Sequence, residues 1–228
     1  MSLAGARREV TSRAVGFDLG LTLVDTRARI LTSAVAAFDA LGARVPAELI
    51  APHLGVPLAD KVAALSPGLD VDAFVTAYRE LYHRDDAPAA PAMPGAVAAL
   101  EAVRRHGDRV LVVTAKVEWM GRAAVTEAGL APHIDALHGD RFAAQKSAAL
   151  REEGAWMYVG DHPGDVLAAR GADALAVAVT TGAHDEQALR AAGADVVLRS
   201  LTEFATWYEE YDQYDESDPN DSSGRQGL

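Results

Sequence analysis

The chain has 228 residues, half of them apolar, and a formal net charge of −12. That length can bury the core of one full domain plus a smaller insertion, and the acidic balance argues against nucleic-acid or anionic-membrane partners, which need basic surface. The absence of cysteine excludes disulfides, thiolate metal sites and cysteine nucleophiles.

Met1 to Arg13 carries charge without an apolar stretch, and no run approaches the ~20 apolar residues of a membrane span. A soluble, cytoplasmic protein is expected, monomeric or homodimeric. Unalternating apolar runs then occur at Ala14 to Asp18, Arg109 to Thr114, Ala155 to Gly160, Leu175 to Thr180 and Asp195 to Arg199. Such runs are buried on both faces, as in a parallel sheet. Between them Gly95 to His106, Glu118 to Ala128, Gln145 to Glu153, Gly164 to Gly171 and Asp185 to Ala192 read as crossover helices, several stopped by glycine. The alternation predicts an α/β fold, a three-layer Rossmann-like parallel sheet with right-handed crossovers.

From Asp25 to Pro94 the β pattern stops. Ala28 to Leu41, Pro57 to Leu65 and Val71 to Arg84 read as helices, followed by a stiff return through Pro88, Pro91 and Pro94. The expected organisation is a core of residues 14–25 and 95–208, an inserted helical cap of residues 26–94, and a tail of residues 209–228. The tail is acidic and poor in aliphatics, so burial cannot offset its ordering entropy and it is expected to be disordered.

Ligands of open α/β sheets bind beyond the carboxyl ends of the strands, where strand order reverses. Asp18, Thr114 and Asp161 all fall at strand ends and are expected to converge there. Of 21 basic residues only Lys61, Lys116 and Lys146 are lysines, and each lies near a segment of interest. Asp161 and Asp165 flank a turn in Gly160-Asp161-His162-Pro163-Gly164-Asp165, and hard carboxylate oxygens of this kind suit Mg²⁺. His162, single and between them, reads as a loop residue.

Phe17-Asp18-Leu19-Gly20-Leu21-Thr22, the run ending in Thr114, Lys146, and the GDxxxD of Asp161 and Asp165 stand in the order of four motifs. Together they resemble the haloacid dehalogenase superfamily, over roughly Ala14 to Phe204, and the helical insertion resembles the cap of its phosphoglycolate phosphatase and β-phosphoglucomutase branch. The resemblance implies that Asp18 is the nucleophile, that Thr114 hydrogen-bonds the transferring phosphoryl group, and that Lys146 balances its charge. It implies Mg²⁺ held by Asp18, the Gly20 carbonyl and the fourth-motif carboxylates Asp161 and Asp165, with Asp165 also suited to positioning Lys146. Thr22, Ala115 and Lys116 are then expected at the substrate, with Lys61 reaching it from the cap.

The family's opening motif reads D-x-D-G-T-L, and its second Asp is the general acid/base. Here that residue is Gly20, and the following Gly is Leu21, whose Cβ is expected to hinder the turn. General acid/base help is typically worth ~10² to 10⁴-fold. The resemblance therefore implies a hydrolase of small phosphorylated metabolites that is slow or confined to good leaving groups such as acyl phosphates. Three alternatives share the missing Asp: a phosphate-binding pseudophosphatase, a phosphonatase-like hydrolase using a cap lysine, and a dehalogenase, which would need no metal motif. Leu58 stands at the phosphonatase lysine position, with Lys61 three residues beyond.

Overall fold

The computed structural model describes residues 13–84, 86–142 and 144–217, with side chains to residue 211. Six parallel strands form one sheet: β1 (Ala14–Phe17), β2 (Arg109–Val113), β3 (Ala136–His138), β4 (Ala155–Gly160), β5 (Leu175–Val179) and β6 (Val196–Leu198), in the order β3-β2-β1-β4-β5-β6. Five of these coincide with apolar runs. The sixth, β3, was not expected, because three residues with a single large apolar side chain give no readable run, and its pairing with β2 is what makes it a strand.

Parallel neighbours need crossovers, which the helices supply. Residues 27–82 hold α1 (Arg27–Ala40), α2 (Ala47–Ile50), α3 (Leu58–Leu65) and α4 (Val71–Tyr82). The sheet is covered by α5 (Ala96–Arg105), α6 (Glu118–Glu127), α7 (Ala144–Glu152), α8 (Pro163–Gly171), α9 (Glu186–Ala191) and α10 (Leu201–Ser217). Strand alternation sorts side chains into two layers: Val15, Phe17, Val112 and Val159 pack with Leu100 and Phe204 on one face. Leu111, Val113, Tyr158 and Ala178 pack with Leu150 and Val166 on the other. No helix among the described residues is long and apolar enough to cross a membrane.

The four helices between β1 and α5 have a core of their own, in which Phe38 and Phe74 sit 4.4 Å apart beside Ile50, Val62, Tyr78 and Tyr82. Their two connections to the sheet are tied together. Asp25 N–H donates to the Pro91 carbonyl at 2.8 Å, and Met93 N–H donates to the Leu23 carbonyl at 2.8 Å. Outgoing and returning strands therefore form a short antiparallel ribbon, bridged at Val24 and Ala92.

The expectation of a disordered tail from Glu209 is corrected as far as Ser217, because α10 runs on to that residue. Glu209 accepts from Arg105 at 2.6 Å, and Tyr211 lies 6.1 Å from Trp156 and 5.2 Å from Trp207, so aromatic packing and an ion pair extend the helix past the apolar sequence. Asp108 anchors the middle of α10 by accepting from Trp156 Nε1 and the Tyr208 hydroxyl, both at 2.8 Å. Residues 218–228 of the expected tail lie outside the described residues.

Gly95 ends the return ribbon with φ of +86°, and a Cβ there would collide with the backbone of Leu201 and Thr202 at the start of α10. Gly95→Ala is therefore expected to lose about 2 kcal/mol or more in chemical denaturation, from a left-handed backbone and a contact that cannot relax.

Candidate active site

Asp18 follows the last residue of β1, its N–H bonded to the Val159 carbonyl of β4 at 2.8 Å. Thr114 and Asp161 follow β2 and β4 in the same way. Because β1 lies between those two strands, the three residues meet at the point where strand order reverses. Lys146 enters from the first turn of α7 and donates to Asp18 Oδ1 at 2.7 Å and to Asp165 Oδ1 at 2.6 Å. Its ammonium also lies 5.5 Å from the Tyr158 ring centre, and the Tyr158 hydroxyl is held by the Val113 carbonyl at 2.7 Å.

Three carboxylates, Asp18, Asp161 and Asp165, place oxygens within 4.8 Å of one another. Burial pushes the Asp18 carboxyl above its ordinary value against the opposing pull of Lys146. Asp161 is pushed well above, by burial first and then by Asp18 and Asp165. Burial works against a charged Lys146, yet Asp165 and Asp18 together outweigh it and keep the lysine well above its usual range. One ammonium among three carboxylates leaves excess negative charge in a buried space, and the donor set is all hard oxygen. These residues fit a divalent cation such as Mg²⁺. Asp18, Asp161 and the Gly20 carbonyl are the candidate holders, since both Asp165 oxygens are engaged, Oδ1 by Lys146 and Oδ2 by His162 N–H at 3.2 Å.

The loop after Asp18 turns tightly: Leu21 N–H bonds the Val24 carbonyl at 2.8 Å, and Val24 N–H bonds the Leu19 carbonyl at 2.9 Å. Leu21 takes φ of +64°, the left-handed conformation, with its side chain buried against the helical unit. The expectation that a Cβ would hinder this turn is thus corrected: apolar burial offsets the roughly 1 kcal/mol of left-handed strain. Thr22, expected at the substrate, is fully buried and does not line the cavity; its hydroxyl donates to Asp161 Oδ1 at 2.8 Å. It orients a candidate metal ligand. Gly182, which sequence reasoning missed, lies where any side chain would collide with Asp161.

A cavity of about 460 Å³ separates the strand ends from the helical unit. Asp18, Gly20, Thr114, Ala115, Lys116, Lys61, Lys146, Asp161 and Asp165 all line it, so these sequence-predicted residues are brought together. The remaining walls, unread in the sequence, include Leu21, Ile30, Val75, Tyr78, Met120 and Phe142. Lys61 is only 2% exposed, and its ammonium makes no hydrogen bond or ion pair among the described residues. Burial, and then Lys116, lower its amine to about 8. Lys116 lies 5.0 Å from the Tyr82 ring centre.

His162 is a helix cap as well as a loop residue, its Nδ1 accepting from Gly164 N–H at 2.9 Å at the start of α8. Burial, followed by His184, lowers it to about 4, so at neutral pH it has no proton to give as an acid. Thr26, notable in the sequence only as a junction, is buried beside Gly20 on the cavity wall.

Lys146→Met removes the single ammonium from this cluster. A loss of roughly 3–5 kcal/mol is expected at neutral pH, because the carboxylates are left buried and uncompensated. Since the Asp18 and Asp161 carboxyls, already raised by burial, then lie still higher, the loss should shrink as pH falls and these two protonate, which denaturation at pH 7 and pH 4 will check.

The family model described as "Haloacid dehalogenase-like hydrolase" matches residues 15–179. A protein of Dickeya dadantii (strain 3937) described as "Probable phosphatase IndB" is 31% identical over 208 residues, which span 82% of this chain and 89% of that one. Among solved structures, a predicted phosphatase from Clostridium acetobutylicum superposes with a TM-score of 0.77 at 20% identity, covering 87% of this chain and 99% of its own. A predicted phosphoglycolate phosphatase from Haemophilus somnus 129pt gives 0.72 at 18% identity, covering 88% and 99%. These structural likenesses establish the fold, and the match over most of the chain, motif residues included, establishes descent: the protein belongs to the haloacid dehalogenase-like hydrolases.

Proposed function

We propose that this hydrolase is a phosphatase of small phosphorylated metabolites that works through an aspartyl-phosphate on Asp18 and uses Mg²⁺. The reading rests above all on Asp18 held by Lys146 at 2.7 Å at the mouth of a cavity it shares with Thr114 and Asp161. An Asp18 oxygen would attack phosphorus while Lys146 offsets the accumulating charge and keeps the nucleophile ionised against burial. Thr114, beyond β2, would hydrogen-bond a phosphoryl oxygen. Mg²⁺, when bound, would supply further charge neutralisation at the phosphoryl group. Ala115, Lys116 and Lys61 would contact the substrate, and residues 26–94 would act as the cap that excludes water.

Gly20 divides the reaction unequally. No carboxylate stands two residues after Asp18 to protonate a leaving alkoxide, so acyl phosphates, whose leaving groups need no proton, are the favoured donors. Incubation with acetyl phosphate and Mg²⁺ is expected to add one phosphoryl group to the wild type and none to Asp18→Asn, read by intact-mass spectrometry. Calorimetry should show Mg²⁺ binding that Asp161→Ala weakens strongly; unchanged affinity in that variant would remove the metal assignment.

Lys61 gives the substrate subsite a pH signature. With its folded-state amine near 8 against an ordinary 10.5, the cost of burying the ammonium is fully present below about pH 8. That cost is relieved as pH rises toward 10.5, so the free protein should gain stability across that window. Affinity for anionic ligands should fall over the same window. Lys61→Met is accordingly expected to stabilise the free protein by about 1–3 kcal/mol while weakening ligand binding, opposite signs that a thermal shift with and without ligand will separate.

A second reading is favoured by the same lysine. A buried amine of lowered pKa can form an imine with an aldehyde substrate, releasing water, as a phosphonatase-like C–P hydrolase requires. Borohydride reduction in the presence of phosphonoacetaldehyde would fix a covalent adduct on Lys61 if this reading holds, and none if the phosphatase reading stands alone.

A further inference from the structure

Thr26 is completely buried at the start of α1, yet its hydroxyl serves neither the helix nor any other group. A threonine at this boundary ordinarily accepts from a first-turn N–H. Here the side chain makes no cap bond, and only the Thr26 carbonyl engages the helix, accepting from Ile30 N–H at 2.9 Å. Of the five buried side-chain atoms without a partner among the described residues, the Thr26 oxygen alone belongs to a residue of the active-site cavity. It lies 3.2 Å from where a Cβ on Gly20 would stand, and Gly20 is two residues from Asp18. An unused donor and acceptor thus face the space that a missing side chain leaves beside the nucleophile. Leaving a buried hydroxyl unpaired is costly unless a ligand or water pairs with it.

On the reading of Asp18 as nucleophile, we infer that the Thr26 hydroxyl holds the attacking water of the second half-reaction in the space opened by Gly20. Thr26 is a positioning residue and not a base, because an alcohol cannot hold a proton taken from water at neutral pH. The step balances without one. The water oxygen bonds to phosphorus, the P–O bond to Asp18 breaks, and its electron pair returns to the carboxylate. Both water hydrogens leave with the product as dihydrogen phosphate, one of them having moved to a former phosphoryl oxygen. Asp18 is regenerated with its negative charge and its bond to Lys146. What Thr26 contributes is orientation, which sets how often a water in this cavity meets phosphorus in line.

The test uses the full chain loaded by acetyl phosphate with Mg²⁺, stripped of donor, and followed by intact mass as the aspartyl-phosphate decays. Thr26→Val keeps the shape and removes the hydroxyl; it should slow clearance relative to loading by about 10-fold, the size of one lost hydrogen bond. Thr26→Ser should restore the ratio. Gly20→Ala, whose Cβ crowds the same space, should slow clearance similarly, and the double variant should be no slower than either alone. Thr26→Val should also melt higher than the wild type when no ligand is present, since an orphaned hydroxyl is replaced by a methyl. A wild-type ratio of clearance to loading in Thr26→Val, or failure of serine to rescue it, overturns the inference while leaving Asp18 in place. Absence of any adduct on wild-type Asp18 overturns the phosphatase reading and this inference with it. If Thr26→Val does not fold, the serine and Gly20→Ala arms decide: normal clearance in Gly20→Ala counts against a water in that space.

Discussion

The site depends on one charge balance. Lys146 places a single ammonium within hydrogen-bond reach of Asp18 and Asp165, and both carboxylates are nearly enclosed. Without it, Asp18 would be driven by burial toward the neutral acid, and a neutral carboxyl is a poor nucleophile. Negative charge remains in excess, since Asp161 makes no ion pair among the described residues and is steadied by the Thr22 hydroxyl and, less, by Lys146 against burial and the charges of Asp18 and Asp165. Three enclosed carboxylates around one ammonium could receive a cation, and the oxygen donors match a hard one.

The sheet makes this balance possible. Parallel pairing of β1 with β2 on one side and β4 on the other puts their carboxyl ends level, so residues far apart in the chain share a few ångströms. The helices that cover the sheet then serve the site directly. Lys146 rides on α7, and Asp165 sits at the start of α8, where His162 N–H donates to its Oδ2 at 3.2 Å. That cap fixes the side chain that in turn fixes Lys146. Strand ends and helix first turns hold every member of the charged cluster, the kind of preorganisation on which the proposed phosphoryl transfer would depend.

The helical unit contributes a different chemistry. Its face toward the site is apolar apart from Thr26, Lys61, Tyr78 and Arg79, and Leu21 joins the loop after Asp18 to the helical core by burying itself there in a left-handed conformation. Closing such a surface over the strand ends would strengthen every electrostatic term within. The hydrogen-bonded ribbon at residues 23–25 and 91–93 ties the two connections to each other.

The sequence by itself determined the sheet class and most of the charged cluster. Buried parallel strands must be unbroken apolar runs, and functional residues of such sheets stand at their ends, so Asp18, Thr114 and Asp161 are marked by position as well as type. Lys146 was legible because lysine is scarce in this chain. Short-range pattern could not reveal β3, which exists through its partner strand, or the continuation of α10 to Ser217, which rests on aromatic contacts between residues about fifty positions apart. Nor could it show that Thr22 serves Asp161 or that Leu21 tolerates a glycine's conformation. Tertiary structure alone decided that Lys61 is buried in the cavity wall and that the Thr26 hydroxyl faces the space beside Gly20. Burial and the absence of a partner are properties of what surrounds a side chain, and those surroundings come from segments that only the folded chain brings together.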